Sequence, residues 1–178
     1  MSYSVVPDYG ALPTALLPLA KQHMRVDFTD DDVLITEYLG QAISLCEAFW
    51  ELQVFGAAVA WSPGSVASRY PCPVRPVSDF TVMSAAVDVS AEYALEGGSL
   101  TQPTWLVHSD GSPFPADAAV TLVAGYATPD QMPPNARGAI LQVAATRYEN
   151  RESIVAYSLD QIPFWLSDLL GGLWVPRA

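Results

Sequence analysis

Apolar and polar residues follow one another with helical spacing in the stretch 133–152, PPNARGAILQVAATRYENRE. The two prolines stop the preceding element and suit a first helical turn, where a missing N–H needs no partner. Asn135 can cap the helix. Apolar side chains fall on one face and polar ones on the other, which predicts an amphipathic helix. The apolar face carries Ile140, Leu141, Ala144, Ala145 and Tyr148, and the polar face carries Gln142, Thr146, Glu149 and Asn150.

The same period predicts two helices earlier in the chain, over 12–24 and from about 30 to 52. Pro18 is expected to kink the first helix or delay its start. Thr29 is expected to cap the second, which places the aspartates 30–32 at the positive end of the helix dipole. Two adjacent apolar stripes run along this second helix, so we expect it to be buried on more than one side. The stripes are Leu34, Tyr38, Gln41, Leu45, Phe49 and Leu52, and Ile35, Leu39, Ala42, Cys46 and Trp50.

The middle of the chain has the short apolar runs and turn residues of an antiparallel sheet. We expect strands at 54–61, 80–89, 104–107 and 118–127, the last buried on both faces at its start. The proline-rich segment 70–76 can only be an edge strand or a loop. Gly97 and Gly98 mark a hairpin turn. Residues 1–10 are expected to form an irregular arm.

The elements together predict a single α+β domain spanning 1–178. Its N- and C-terminal helices, about 12–52 and 133–172, form a small bundle that includes a last helix over 162–170. A β-rich segment of about 53–127 is inserted between them as an antiparallel subdomain.

Composition indicates that partners cover part of this protein. The chain is 51% hydrophobic and only 15% charged, against about 25% charged in an average soluble domain. Its net charge is −11 and Lys21 is its one lysine. DNA binding through lysine and arginine contacts to phosphates is therefore disfavoured, and so is binding to anionic membranes. No apolar run approaches the roughly 20 residues that span a bilayer, and the first residues do not have the pattern of a signal peptide. We expect the protein to be made in the cytosol.

Catalytic and metal-binding patterns are weak. Cys46 and Cys72 are not in a C-x-x-C motif and are expected to be reduced thiols. The aspartates 30–32 do not have calcium-loop spacing, and His23 is best explained as a helix-end residue. His108 and Asp110 could suggest a hydrolase, but no nucleophile elbow accompanies them. We therefore predict that the protein is not an enzyme and has no cofactor or metal, and keep a small hydrolase as a minor alternative.

The last residues form an apolar segment rich in tryptophan. They could pack on their own chain or insert into a partner, where tryptophan often supplies the anchor. The candidate partner-binding residues are Phe164, Trp165, Leu173, Trp174, Val175 and Pro176.

Two motifs resemble the head–tail connector family of tailed bacteriophages, also called adaptor or head-completion proteins. In that family a "T-A-G-Y"-like strand leads into a "P…I-K-x-A-I-L-x-x-V-A-x-x-Y-E-N-R-E"-like helix, and here the strand reads Val123-Ala124-Gly125-Tyr126. The helix matches at 134–141, at 143–145 and at Tyr148-Glu149-Asn150-Arg151-Glu152. The segment 19–32 and Pro73-Val74-Arg75-Pro76-Val77 are also similar, so the likeness covers most of the chain.

The resemblance implies a structural subunit that sits in the virion neck and assembles in the host cytoplasm. Twelve copies would form a ring below the portal protein, extend the DNA channel without binding DNA specifically, and dock a stopper or tail-completion protein. The second stripe of the helix over 30–52 would then face the next subunit. Candidate inter-subunit residues are Arg147, Tyr148, Glu149 and Arg151. Another neck protein or a tail-terminator ring remains an alternative, as does a gene transfer agent in place of a phage.

Overall fold

A computed structural model of the chain describes residues 2–98 and 102–150. These residues divide into two compact units. The β unit consists of the described residues within 2–8 and 55–125, and the helical unit of those within 9–54 and 126–150. The predicted α+β class is confirmed. The predicted helix at 162–170 and the tail residues 173–176 lie outside the described residues.

In the β unit, the described residues form eight strands in two antiparallel sheets. One sheet has five strands in the order β1-β2-β8-β4-β5, and the other has three in the order β3-β7-β6. The strands are β1 (Ser2–Pro7), β2 (Ala57–Ser62), β3 (Arg69–Pro71), β4 (Val77–Ser84), β5 (Val87–Asp88), β6 (Tyr93–Gly97), β7 (Thr104–His108) and β8 (Ala119–Ala124).

Apolar side chains from both sheets meet in one buried cluster. Its aromatic members pack edge to face, with Tyr70 6.5 Å from Trp61 and 5.3 Å from Phe114 between ring centroids. Residues alternate buried and exposed along β2 and β8, so each strand gives one face to the core. The expectation that 118–127 starts buried on both faces is therefore wrong.

Two further strand predictions are wrong. Residues 2–7 are not an irregular arm, because they pair with β2 in register from Ser2↔Ser62 to Pro7↔Ala57. The segment 80–89 is not one strand. It turns at Ala85 and Ala86, which have φ of 48° and 64°, and β5 folds back on β4. The segment 70–76 does supply an edge strand, as expected, because β3 lies at the border of its sheet.

The described residues of the helical unit form three α-helices that contact one another pairwise. They are α1 (Ala11–Met24), α2 (Asp32–Trp50) and α3 (Pro134–Glu149). Pro18 lies inside α1, which continues through it. Both predicted caps are wrong. Asp31 occupies the N-cap of α2, so only Asp32 lies in its first turn, and Pro133 occupies the N-cap of α3.

The two stripes of α2 differ in burial. The second stripe is fully buried within this chain, from Ile35 to Trp50, each 0% exposed. It therefore cannot face a neighbouring subunit, and that expectation is wrong. In the first stripe Tyr38 is buried, whereas Leu34, Leu45 and Phe49 are only half-buried. The incompletely covered side of α2 forms part of the candidate site.

Candidate functional site: the groove of the helical unit

The end of α3 is fastened to α2 by two side-chain contacts. Arg147 donates from Nη1 to Oε1 of Gln41 at 2.8 Å, and the Tyr148 hydroxyl donates to Oδ2 of Asp31 at 2.6 Å. Glu149 is exposed, and Arg151 lies outside the described residues. Two of the four candidate inter-subunit residues are thus fixed in orientation by their own chain, and their role between subunits stays a prediction.

A groove of about 680 Å³ lies beside Arg147. Its walls come from the start of α1, the half-covered side of α2 and the end of α3. The floor on α2 includes small residues at helical spacing, Gly40, Ser44 and Ala48. The lining residues are Tyr9, Gly10, Pro13, Thr36, Glu37, Gly40, Gln41, Ser44, Leu45, Ala48 and Arg147. A concave, mostly uncharged surface of this size suits a side chain or short segment of another molecule.

The loop between α1 and α2 is held in a defined conformation. Arg25 ends α1 in the left-handed region at φ 57°, and Val26 N–H donates to the Lys21 carbonyl at 2.9 Å. The Lys21 ammonium and a carboxylate oxygen of Asp32 lie 2.5 Å apart, which ties the two helices together at the base of the loop. Phe28, in this loop, is 47% exposed. An aromatic side chain is therefore presented on a fixed support.

Most described basic side chains other than Arg147 already have contacts. Arg137 donates to the Pro129 carbonyl at 3.1 Å and lies 3.6 Å from Asp130, and the Arg69 guanidinium lies 4.4 Å from the centroid of the Trp105 ring. The few basic side chains thus lie on several different elements of the fold. The described residues therefore present no row of lysines and arginines along which DNA phosphates could bind.

His108 is the strongest catalytic candidate, and its surroundings favour a structural role. Its Nδ1 lies 2.6 Å from Oδ1 of Asp110 and its Nε2 lies 3.6 Å from Oε2 of Glu92. The ring packs edge to face on Tyr93, 4.6 Å between centroids. Among the described residues no serine, threonine or cysteine side chain is hydrogen-bonded to His108, so they assemble no nucleophile–base pair there. The imidazole joins two loop carboxylates beside the β6–β7 hairpin.

The remaining chemical candidates have no ligand or reactive role in the described residues. No group of three or more histidines, cysteines and acids could hold a metal ion within the ranges described. Cys46 and Cys72 are free thiols, and burial raises the pKa of each to about 12. Neither thiol therefore forms the thiolate that reactive cysteines need at neutral pH. His23 is exposed in the last turn of α1, as expected. Among the described helices, none is long and apolar enough to span a bilayer.

The sequence patterns did not reveal the groove. Its part on α2 has helical spacing, but only the tertiary packing brings that part together with the start of α1, the residues before it and the end of α3. One signal was available. Gly40 lies in the middle of α2, where glycine lowers helix stability by about 1 kcal/mol relative to alanine.

No protein-family model and no curated protein matches the chain. Solved structures share its fold over its whole length. A chain in the neck of an empty GTA (gene transfer agent) particle, computed with C6 symmetry, superposes with a TM-score of 0.72 at 20% identity. A chain in the virion of the native gene transfer agent particle gives 0.71 at 22% identity, and one in the native neck computed with C12 symmetry gives 0.71 at 19%. Each match covers 100% of this chain and 97% of the other. The fold of this chain is therefore one found in the neck of a phage-like particle.

Proposed function

We propose that this protein is a head–tail connector, an adaptor subunit that forms a ring in the neck of a phage-like particle. The observation that carries the proposal is the full-length likeness to chains of gene transfer agent necks. The sequence motifs at 123–126 and 134–152 support the same family independently of the fold. The role is structural, without a cofactor or metal, and assembly takes place in the host cytoplasm.

In this proposal the ring sits below the portal protein and is dodecameric. One of the matched necks was computed with C12 symmetry, which is the symmetry that a ring of twelve copies has. The residues Arg147, Tyr148, Glu149 and Arg151 are proposed to lie near the contact between copies. Arg147 supports this assignment because it lines the groove.

The proposed ring extends the DNA channel without binding DNA tightly. A wall that attracted phosphates would slow the passage of the genome, whereas a neutral or acidic wall would not. The net charge of −11 and the scattered arginines support such a wall. Strong DNA retention by the assembled protein at physiological salt would contradict this part of the proposal.

The apolar residues Phe164, Trp165, Leu173, Trp174, Val175 and Pro176 are proposed to bind the portal or a stopper protein. Removal of 173–178 is expected to leave the circular dichroism spectrum and the melting temperature unchanged and to abolish portal binding. Portal binding by the truncated protein at full affinity would contradict this assignment.

Capture by the cognate portal protein tests the function itself. The full chain should co-purify with portal-bearing capsids and appear as a ring in cryo-electron microscopy of the neck. Retention on tail tubes in place of portals would instead identify a tail-terminator ring. Binding to neither would contradict a neck function.

A further inference from the structure

The floor of the groove in the helical unit contains a glycine that packing within this chain does not require. Gly40 lies on that floor, and a Cβ added there would meet no atom within 4 Å. Glycine is therefore not needed for close packing inside the chain, although it weakens the helix. Gly138 on α3 has the same free space but does not line the groove. A molecule that enters the groove would benefit from the missing side chain at residue 40.

Arg147 supplies the groove with a cation that has no carboxylate partner among residues 2–98 and 102–150. Its one contact is with the neutral amide of Gln41 at 2.8 Å, and no ion pair of Arg147 occurs among the described residues. Glu37 also lines the groove, so an entering carboxylate would have to bind on the Arg147 side. An arginine held in place by a neutral partner is well prepared to bind an incoming acid.

The α1–α2 loop carries the complementary groups. Phe28 is 47% exposed, and Asp27 and Asp30 on either side of it are exposed too. Within the described ranges neither aspartate makes an ion pair or hydrogen bond. The loop is fastened at its base by Lys21 and Asp32, whose charged atoms are 2.5 Å apart, so little conformational entropy is lost when it binds.

We infer that the groove of one copy receives the α1–α2 loop of a second copy, with Phe28 as the anchor and Asp27 or Asp30 paired with Arg147. The inference deepens the proposed ring function and rests on it. Charge favours a second copy as the occupant, because subunits of net charge −11 repel one another unless contacts pair their few free cations with carboxylates. Loop and groove are different surfaces, so the contact is heterologous and repeats around a ring.

Disulfide trapping between two variants, each with one added cysteine, tests this contact. Phe28→Cys and Ser44→Cys full-length chains are mixed or co-expressed, and oxidised in the oligomer, whether this forms in the free protein or only on portal-bearing capsids. We expect a cross-linked dimer that contains one chain of each variant and is absent when either variant is oxidised alone. The native cysteines should contribute little, because burial raises the pKa of each thiol to about 12.

The possible results of the cross-linking experiment distinguish a wrong loop–groove interface from a wrong ring function. An oligomer without the mixed cross-link overturns this interface and leaves the proposed ring intact. Absence of any oligomer, in solution and on capsids, overturns both. If an oligomer forms without the cross-link and Ser44→Cys instead joins to a cysteine placed at residue 174, the occupant is the C-terminal segment, and the loop assignment is wrong.

A blocking variant provides a second, independent measurement. Gly40→Met should fold normally and weaken self-association at least tenfold, because the new side chain fills the groove. Gly138→Met is the matched control, a helical glycine with equally free space outside the groove, and should leave self-association unchanged. Arg147→Asp should weaken association similarly, and the combination with Asp27→Arg and Asp30→Arg should restore at least part of it. Equal association by Gly40→Met and Gly138→Met would overturn the proposal.

Discussion

The two units treat their charged groups differently. In the β unit, carboxylates accept hydrogen bonds from the backbone of turns: Asp117 accepts from Ala85 N–H at 2.6 Å, in a turn 32 residues away along the chain, and Asp110 accepts from Ser112 N–H at 2.7 Å, in its own turn. In the helical unit, Asp27, Asp30 and Arg147 make no ion pair with described residues, and a groove lies beside Arg147. The β unit uses its polar groups to fix its own loops. The helical unit leaves several without such contacts among the described residues, which is why we propose it as the unit that contacts other subunits.

The largest loss of stability is expected in the β unit, from Gly125→Ala. Gly125 has φ +78°, and a Cβ there would lie 2.0 Å from the carbonyl oxygen of Phe55. Backbone strain and this contact together should lower the free energy of unfolding by about 3 kcal/mol or more. Gly111→Ala is the control, because its φ is +80° but nothing lies within 4 Å. Chemical denaturation compares the two, and similar losses would show that the close contact with Phe55 is unimportant.

A core truncation in the helical unit should come next. Leu39 is 0% exposed on α2, so Leu39→Ala should lower the free energy of unfolding by roughly 2–5 kcal/mol. Hydrogen exchange should show the increased opening mainly in 9–54 and 126–150. Val33→Ala, at a position 77% exposed on the same helix, should be nearly neutral. Equal increases in exchange in both units would mean that the units unfold as one.

Removal of one buried hydroxyl should have a smaller effect. The Tyr70 oxygen accepts from Val66 N–H at 3.0 Å and from Ala67 N–H at 3.1 Å. Tyr70→Phe leaves both donors without this acceptor and should cost about 1–3 kcal/mol. Tyr3→Phe, at a position 55% exposed, is the matched control. Faster hydrogen exchange confined to the loop 63–68 would confirm the cause, and unchanged exchange there would contradict it.

In the helical unit, Gly40→Ala should stabilise the protein by up to about 1 kcal/mol. The added methyl group meets no atom within 4 Å, so the gain comes from the restricted backbone of the unfolded chain. Gly138→Ala should give a similar gain. Thermal unfolding measures both, and a loss at Gly40 alone would show that the floor of the groove is tighter than the structure indicates.

The smallest predicted effect is the loss of stability of the folded protein at acidic pH. Hydrogen bonds from Ser90 lower the pKa of Asp88, bonds from Ser112 and the nearby His108 lower that of Asp110, and bonds from Ala85 and Ser84 lower that of Asp117. A carboxyl group with a lowered folded-state pKa contributes stability that is present above its unfolded pKa, near 3.8, and lost as pH falls through the folded value. The melting temperature should therefore decrease as the pH is lowered below about 4. This decrease should be less steep in Asp117→Asn. An unchanged slope in that variant would contradict this role.

The sequence predicted the helices well because their period is local. α1 and α3 begin and end within three residues of the predicted positions, and α2 follows the expected stripes. β1 was missed because the segment 2–7 becomes a strand only by pairing with residues 57–62, far along the chain. The turn at Ala85 and Ala86 was missed because alanine rarely adopts positive φ. Here Asp117, in the turn that precedes β8, stabilises it by accepting a bond from Ala85 N–H.

The candidate site was only partly predictable for a related reason. Arg147 could be selected from a motif, but its partner Gln41 lies 106 residues away. Phe28 was not selected at all, because a single aromatic residue between two helices has no pattern. Its exposure, and the small floor at Gly40, become evident only when the three helices are packed.

The position of β1 affects the order in which the protein folds during synthesis. The strand leaves the ribosome before α1 and α2, but its pairing partner begins only at Ala57. At typical translation rates the nascent β1 waits roughly 3–10 s for β2. During that time both helices emerge and can form, whereas the five-stranded sheet cannot. The helical hairpin is thus available before the sheet, and β1 is synthesised before both helices but finds its place in the sheet only after them.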